Sequence, residues 1–291
     1  MTVTDTTSTN KTLTVGKVKI TKVAEIEAIG GTRFILPQAT YQECQKISWL
    51  APAYANDEGK LRLTIKSLIV ETPTRRIVVD TCLGNDKQGR SVPAWNNLHT
   101  DFLDRMTAAG YPPDSIDTVF CTHMHVDHVG WNTQLVDGKW VPTFKNARYV
   151  FVKPEYDHWL AGNGTHEQQN VIEDSVKPVA AAGLVDLVSP DHKLTDELTL
   201  IPSFGHSPGH VCIHIKSDGE EGLISGDVAH SPCQMAHLDW SATVDSDPLQ
   251  SAKTRREIFA RFADTPTIII GGHFDPGYLK RDGDAFKLLA I

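Results

Sequence analysis

One stretch constrains this sequence more than any other: three histidines and an aspartate fall within six residues of Thr122-His123-Met124-His125-Val126-Asp127-His128. The stretch follows the apolar run 118–121, which is typical of a buried strand. Side chains two residues apart on an extended segment point the same way, so His123 and His125 face one point. Asp127 and His128 follow on the turn out of the strand and can face a second point. The stretch predicts a metal site, because imidazole and carboxylate groups bind zinc, iron, manganese or cobalt.

Length and composition limit the class of protein. The chain has 291 residues, 40% hydrophobic and 22% charged, which is ordinary for a globular protein of one large domain or two small ones. A formal charge of −8 disfavours nucleic-acid binding, which usually requires a basic face. No run approaches the ~18 apolar residues of a membrane span, and the N-terminus lacks the pattern of a secretory signal. We therefore expect no nucleic-acid or membrane partner and a cytoplasmic location.

The chain divides into a short tail and one domain. Residues 1–12 are rich in threonine and serine, so we predict a flexible tail there. Residues 13–291 alternate strand-like apolar runs with helical segments, and Asp247-Pro248-Leu249-Gln250 is typical of a helix start. That helix is predicted to end near Ala263. The five cysteines include no Cys-x-x-Cys pair, which predicts neither a disulfide framework nor a thiolate zinc site. The pattern favours a single domain of two sheets with helices outside them.

Residues 31–58 do not follow a clear strand or helix period. They carry apolar residues, among them Phe34, Tyr41, Trp49 and Tyr54, between polar ones. Two interpretations stay open: a helical insert packed on the core, or an apolar flap over a site or a dimer contact. Under the flap interpretation, Trp49 contacts the substrate.

Three further motifs place a metal-binding residue type beside glycine at a predicted strand end. They are Gly205-His206-Ser207-Pro208-Gly209-His210, Ser225-Gly226-Asp227 and Gly271-Gly272-His273. Glycine lets the backbone turn sharply and approach an ion closely, and loops at strand ends commonly carry function. Each motif alone is a weak signal. Together with the first stretch they indicate one metal centre.

In this order the four motifs resemble those of the metallo-β-lactamase superfamily, over nearly the whole chain from about Val15. The resemblance implies an α+β fold, a four-layer αββα sandwich with the metals at the shared edge of two sheets. It implies two ion sites: His123, His125 and His206 at the first, Asp127, His128 and His273 at the second, and Asp227 bridging both. Asp80, at a strand end, matches the aspartate that supports the ligands from behind. The expected cofactors are two divalent ions, zinc first, with manganese, iron or cobalt as alternatives.

The expected chemistry follows from that ligand set. Two ions that share a water lower its pKa towards ~7, and the bridging hydroxide attacks a carbonyl or phosphoryl centre. Metal ions also stabilise the developing negative charge. Asp127 can orient the hydroxide and carry a proton to the leaving group. No Gly-x-Ser-x-Gly elbow is present to supply a serine nucleophile.

Within the superfamily the sequence is similar to the lactonase and methyl parathion hydrolase branch. Asp227 argues against true β-lactamases, which generally lack a bridging aspartate. A tryptophan after the first motif, here Trp131, is a feature similar to that branch. Trp131 is therefore a predicted substrate contact. His230 occupies the position where lactonases often place a tyrosine that contacts the substrate carbonyl. It is a predicted catalytic donor, with a merely solvated side chain as the alternative.

We therefore expect a dinuclear hydrolase acting on a lactone or ester of a small, partly apolar molecule. An organophosphate triesterase and an iron-containing redox member of the superfamily are the alternatives. The expected partner is a small-molecule substrate, and a homodimer is left open.

Overall fold

The computed structural model describes residues 11–291. Thr12 begins the first strand, so the predicted tail ends at least one residue earlier than expected, and residues 1–10 of that prediction lie outside the described range. Numbered along the chain, the strands of this range are β1 (Thr12–Val15), β2 (Val18–Ile29), β3 (Arg62–Glu71), β4 (Arg76–Val79), β5 (Thr118–Phe120), β6 (Thr133–Val136), β7 (Lys139–Pro142), β8 (Arg148–Val152), β9 (Val185–Val188), β10 (Leu198–Pro202), β11 (Val211–Ser217), β12 (Glu220–Ile224), β13 (Ile268–Ile270), β14 (Gly277–Asp282) and β15 (Ala285–Ala290).

The helices surround these strands. The α-helices among residues 11–291 are α1 (Tyr41–Gln45), α2 (Phe102–Ala108), α3 (Val126–Val129), α4 (Lys153–Leu160), α5 (His166–Val171), α6 (Lys177–Ala181), α7 (Cys233–Ala236) and α8 (Pro248–Phe262). A π-helical segment, Ile172–Val176, joins α5 to α6. Helix α8 begins as predicted: the Asp247 side chain accepts a hydrogen bond from Gln250 N at 3.0 Å, and Pro248 occupies the first turn. None of the helices within the described range is long and apolar enough to cross a membrane.

Most strands of the described chain form two sheets. The first has the order β1-β2-β3-β4-β5-β8-β9, and the second has the order β10-β11-β12-β13-β14-β15. Strands β4, β5, β8 and β9 run parallel to one another, and their residues are mostly buried and β-branched or aromatic. Strands β6 and β7 form a separate ribbon. In the second sheet β12 and β13 are the parallel pair.

The two sheets pack face to face. Their inner faces form one apolar cluster in which Val70 and Phe120 of the first sheet belong with Ile213 and Ile270 of the second. Gly16, in the turn between β1 and β2, lies so close to the second sheet that a Cβ there would be 2.2 Å from Ser217 O. Its φ of 55° also favours glycine.

Helices cover the outer face of each sheet. Residues of α2, α4 and α5 belong to a cluster with the outer face of the first sheet, and residues of α7 and α8 to a cluster with the outer face of the second. The layer order is therefore helix, sheet, sheet, helix, and the predicted αββα sandwich is confirmed.

The segment 31–58 packs largely on the second of these clusters. Leu36, Cys44, Leu50 and Tyr54 are buried there, together with α7 and α8. Trp49 is partly buried against the same cluster. The segment therefore covers the outer face of the second sheet, and its start near Phe34 reaches the edge where the functional loops meet.

Candidate metal centre

The four motifs follow strands that end at one edge of the sandwich. The first motif follows β5, and the others follow β10, β12 and β13 of the second sheet. The neighbouring parallel strand β4 ends at Val79. The carboxylate of the next residue, Asp80, accepts hydrogen bonds from Thr122 N at 2.7 Å and from Thr122 Oγ1 at 2.9 Å. Asp80 thus fixes the start of the loop that carries His123, His125 and His128.

The first group of converging side chains consists of His123, His125 and His206, whose donor atoms all lie within 4.8 Å of one another. His206 Nε2 is 3.1 Å from His123 Nε2 and 2.9 Å from His125 Nδ1. On its other side, His206 Nδ1 donates to the carboxylate of Asp245 at 2.8 Å, which leaves a lone pair on Nε2. Burial, reinforced by neighbouring imidazoles, holds the pKa of His206 and of His123 well below the usual value.

The second group consists of Asp127, His128 and His273, again with donor atoms within 4.8 Å of one another. His128 Nδ1 lies 3.0 Å from Asp80, and His273 Nδ1 lies 3.1 Å from the carbonyl oxygen of Thr64. Both partners are acceptors, so each Nδ1 donates, and Nε2, which faces the group, is the nitrogen left to bind an ion once the ring has lost its second proton.

Asp227 lies between the two groups. Its Oδ2 is 3.1 Å from His273 Nε2, 3.3 Å from His128 Nε2 and 3.5 Å from His206 Nε2. Burial acts to raise the pKa of Asp227, but the charges of His273 and His128 lower it well below its usual value. The carboxylate is therefore ionised and close to both sets of imidazole nitrogens.

Both groups fit divalent ions. Asp227 Oδ1 and His128 Nε2 are buried without a hydrogen-bond partner in the described part of the chain, although buried polar atoms are normally paired. Nitrogen and carboxylate donors that converge from three or four side chains suit zinc and its first-row neighbours. Gly272 is needed for this arrangement, since a Cβ there would be 2.5 Å from Asp227 Oδ1.

His230 completes the ring of imidazoles around Asp227. It is buried, its Nε2 is 3.2 Å from Asp227 Oδ2, and its ring stacks on His273 at 5.7 Å between centroids. With His206 and Asp227 it forms a third set of donors within 4.8 Å. Its Nδ1 is buried and unpaired among the described residues, and burial lowers the pKa of His230 to about 3.

A cavity of about 440 Å³ opens at the two groups. His125, Asp127, Asp227 and His230 of the clustered residues line it. The other lining residues include apolar ones, Phe34, Ile35, Val92, Trp95 and Val244, and polar ones, Ser91, Thr165, Glu167, Gln168, Thr243 and Ser246. A small molecule with one polar, reactive end and one apolar end matches this lining.

A comparison with protein families agrees with this geometry. The family model described as the metallo-beta-lactamase superfamily matches residues 62–273, most of the chain. The chain belongs to the metallo-beta-lactamase superfamily.

Relatives within the superfamily include lactonases. An N-acyl homoserine lactonase of Bacillus thuringiensis is 22% identical over 173 residues, which cover 55% of this chain and 62% of the relative. N-acyl homoserine lactonase AttM of Rhizobium radiobacter is 25% identical over 130 residues, which cover 42% of this chain and 44% of the relative. The chain thus spans less than two thirds of the length of these relatives.

Solved structures of the superfamily share the fold over almost the whole chain. AidC, a dizinc quorum-quenching lactonase, matches with a TM-score of 0.77 at 20% identity, over 97% of each chain. The hydrolase AbOPH matches with a TM-score of 0.77 at 22% identity, over 97% of each chain. These similarities show that the superfamily fold extends beyond the segment matched by the family model.

The structure brings together all seven residues predicted as ligands and places His230 and Asp80 beside them, but it places the two predicted tryptophans elsewhere. Trp131 is only 4% exposed, stacks on Phe102 at 5.8 Å, and donates its indole N–H to Glu25 at 2.7 Å. It is a core residue, so its predicted contact with substrate is wrong. Trp49 packs on the outer face of the second sheet, whereas Phe34 and Ile35 of the same segment line the cavity.

Some residues that orient the clustered histidines could not be recognised from the sequence. Asp245 and the carbonyl of Thr64 orient His206 and His273, yet neither belongs to a motif. His210, inside the second motif, has a different role from its neighbours: its Nε2 accepts a hydrogen bond from Asp227 N at 2.9 Å. Burial lowers the pKa of His210 to about 4, which keeps the ring neutral and able to accept.

Proposed function

We propose that the protein is a dinuclear metal-dependent hydrolase that opens a lactone or cleaves an ester of a small, partly apolar molecule. The observation that carries the proposal is the position of Asp227, whose Oδ2 lies between two groups of donors and which lines a cavity that also has apolar lining residues. The proposed ligands are His123, His125 and His206 for one ion, Asp127, His128 and His273 for the other, and Asp227 for both. Such a pair of ions, zinc first, would activate water for attack near neutral pH and would polarise a carbonyl group.

The chain's own residues have separate tasks in this proposal. Asp127 lines the cavity with a carboxylate that can accept a proton and pass it to the leaving oxygen. His230 lines the same cavity and is the proposed hydrogen-bond donor to the carbonyl oxygen. Phe34, Trp95 and Val244 bind the apolar part of the substrate and exclude water from it.

The substrate class rests on the relatives and on the cavity. Relatives found by sequence similarity are named N-acyl homoserine lactonases. An N-acyl homoserine lactone joins a polar lactone ring to an acyl chain. A cavity lined both by proposed metal ligands and by several apolar side chains suits such a molecule. A homodimer remains a prediction.

The test is a substrate panel on purified protein loaded with zinc or manganese. The panel contains N-acyl homoserine lactones, aryl esters, phosphotriesters and β-lactams, and metal content is measured on the same samples. We expect about two ions per chain and the highest kcat/KM on a lactone or ester. The exposed Asp284→Ala variant is the matched control and should behave as wild type.

Three results would contradict the proposal. A preference for phosphotriesters would support the triesterase alternative. Saturation at a single ion would exclude the dinuclear site. A coloured, redox-active iron without hydrolysis would support the redox alternative.

A further inference from the structure

A buried glutamate outside the motifs receives four hydrogen bonds. Glu155, in the first turn of α4, is only 1% exposed. Its Oε1 accepts from Met124 N at 2.9 Å and from Trp159 Nε1 at 2.6 Å. Its Oε2 accepts from Ser207 Oγ and from Gly209 N, both at 2.7 Å. All of these donors lie near the first group of imidazoles.

The backbone donors belong to the two loops that make up that group. Met124 separates His123 from His125, and its N–H bonds to one carboxylate oxygen of Glu155. Gly209 lies three residues after His206, and its N–H bonds to the other oxygen. One carboxylate therefore joins a loop of the first sheet to a loop of the second.

We propose that Glu155 is a positioning residue that holds the His123–His125 loop and the His206 loop at the separation required by an ion at the first site. The inference rests on the proposed metal centre and adds a determinant of the affinity of one of its two sites. Outer hydrogen-bond partners commonly set the geometry of metal ligands. Here the partner is Glu155, and it binds backbone N–H groups: that of Met124, between two of the histidines, and that of Gly209, after the third.

The packing around this carboxylate supports the same role. A Cβ at Gly209 would be 2.4 Å from Glu155 N, so only glycine lets the His206 loop approach α4 this closely. On the opposite side of the Met124 residue, Gln168 Nε2 donates to Met124 O at 2.7 Å. The Trp159 ring, bonded to Glu155, lies 5.7 Å from the His125 ring and lines the cavity. The loop is thus held from both sides.

The pairing requires a carboxylate. An ionised carboxylate offers only acceptors, with about four lone-pair sites, and here four donors occupy them. In Glu155→Gln the amide nitrogen would face two N–H or O–H donors, which leaves those groups unpaired at nearly unchanged volume. Such a variant loosens the loops without creating a large cavity.

Glu25 provides a matched control. It is also buried, and it accepts hydrogen bonds from Leu83 N at 2.7 Å, from Trp131 Nε1 at 2.7 Å and from Thr100 Oγ1 at 3.1 Å. None of these donors belongs to the His206 loop. Glu25→Gln therefore removes a comparable buried carboxylate that does not bond to the His206 loop. It measures how far the loss of such a carboxylate affects zinc binding in general.

The experiment measures zinc affinity at each site separately, by competition with a chromophoric chelator. The His273→Ala background retains the first group, and the His206→Ala background retains the second. We expect Glu155→Gln to weaken zinc binding about 10- to 100-fold in the His273→Ala background and by less than about threefold in the His206→Ala background. Gly209→Ala should reproduce this pattern, whereas Glu25→Gln should not weaken the first site selectively.

Other outcomes would overturn the inference. Equal losses at both sites, or the same loss in Glu25→Gln, would mean that Glu155 only stabilises the fold. Unchanged affinity at the first site would exclude a positioning role while leaving the proposed function intact. If the His273→Ala protein binds no zinc at all, the proposed ligand set itself is wrong. If Glu155→Gln fails to fold, Gly209→Ala and Ser207→Ala provide the same test. Both variants keep the buried carboxylate and disturb only its contact with the His206 loop.

Discussion

Three histidines of the proposed metal centre have Nδ1 bonded to an acceptor, and this leaves Nε2 to face the proposed ions. His128 donates to Asp80, His206 donates to Asp245, and His273 donates to a backbone carbonyl. A neutral imidazole that donates from Nδ1 carries its lone pair on Nε2. The chain thus prepares the ligand nitrogens before any ion binds, which lowers the cost of ordering them.

Asp227→Ala should cost the protein more metal than loss of either terminal histidine. The carboxylate is within 3.5 Å of imidazole nitrogens from both groups, so its removal takes a ligand and a negative charge from both proposed sites. We expect metal content to fall below that of His206→Ala and of His273→Ala, as measured by elemental analysis after zinc loading. Near wild-type metal content and turnover in Asp227→Ala would disprove a bridging role.

His230→Ala should lower kcat by roughly 10²–10³-fold, the usual cost of losing one donor to a developing oxyanion, with the metal content retained. The reason is that His230 lines the cavity beside Asp227, while the seven proposed ligands remain for the ions. His230→Tyr, which keeps a donor, should recover part of the rate. A loss of zinc in His230→Ala would instead identify His230 as a ligand, consistent with its place in the third donor set.

The close spacing of four residues in the first stretch, and the glycine beside each of the other three, made the seven clustered residues visible in the sequence, whereas the residues that support them were not visible. A histidine or aspartate in a Gly-rich turn at a strand end is a local pattern that can be recognised directly. Asp245 approaches His206 from a loop 39 positions later in the chain, and Glu155 approaches the same histidine's loop from a helix. Such contacts depend on how the layers pack, which no local pattern encodes.

At the scale of elements, the segment 31–58 has two different surfaces. Its buried residues cover the second sheet, whereas Phe34, which is 48% exposed, reaches the cavity and lies 6.3 Å from the Trp95 ring. The spacing of apolar residues could not separate these surfaces, because the regular structure of the segment is limited to short elements such as a 3₁₀ turn, Thr32–Phe34, and α1. By contrast, α8 was predictable because its cap and its first-turn proline are local signals.

Phe34→Ala should raise KM for substrates with an apolar chain while metal content stays constant. Phe34 is about half buried, so a contact worth about 1 kcal/mol, or roughly fivefold in KM, is expected to be lost. Trp49→Ala is the control from the same segment: it should lower the melting temperature and leave KM unchanged, since Trp49 packs on the core cluster. The opposite result, with KM raised only in Trp49→Ala, would restore Trp49 as the substrate contact. A change of oligomeric state in either variant would indicate a dimer contact.

For the whole molecule, the two proposed ion sites join the two sheets. The first site combines histidines that follow β5 with one that follows β10, and the second combines residues that follow β5 with one that follows β13. Because ions would bind the packed sandwich and not the unfolded chain, they add to its stability by mass action.

Removing the ions should therefore destabilise the entire domain and not only the loops. At a free zinc concentration near 1,000 times Kd, binding contributes about 4 kcal/mol, so chelation should lower the melting temperature by roughly 10 °C. Differential scanning calorimetry before and after dialysis against a chelator measures this change, with readdition of zinc as the control. An unchanged melting temperature would mean that metal binding at the sheet edge does not contribute to the stability of the domain.

Because each site draws residues from both halves of the chain, neither site is complete until the sheets have packed. Ions would then be captured late in folding, after the slow steps are over. Interactions that form after the rate-limiting barrier retard unfolding and leave the folding rate almost unchanged. The loaded protein would therefore fold no faster than the ion-free one, but it would persist longer before opening to proteases or aggregation, so its lifetime would follow metal supply.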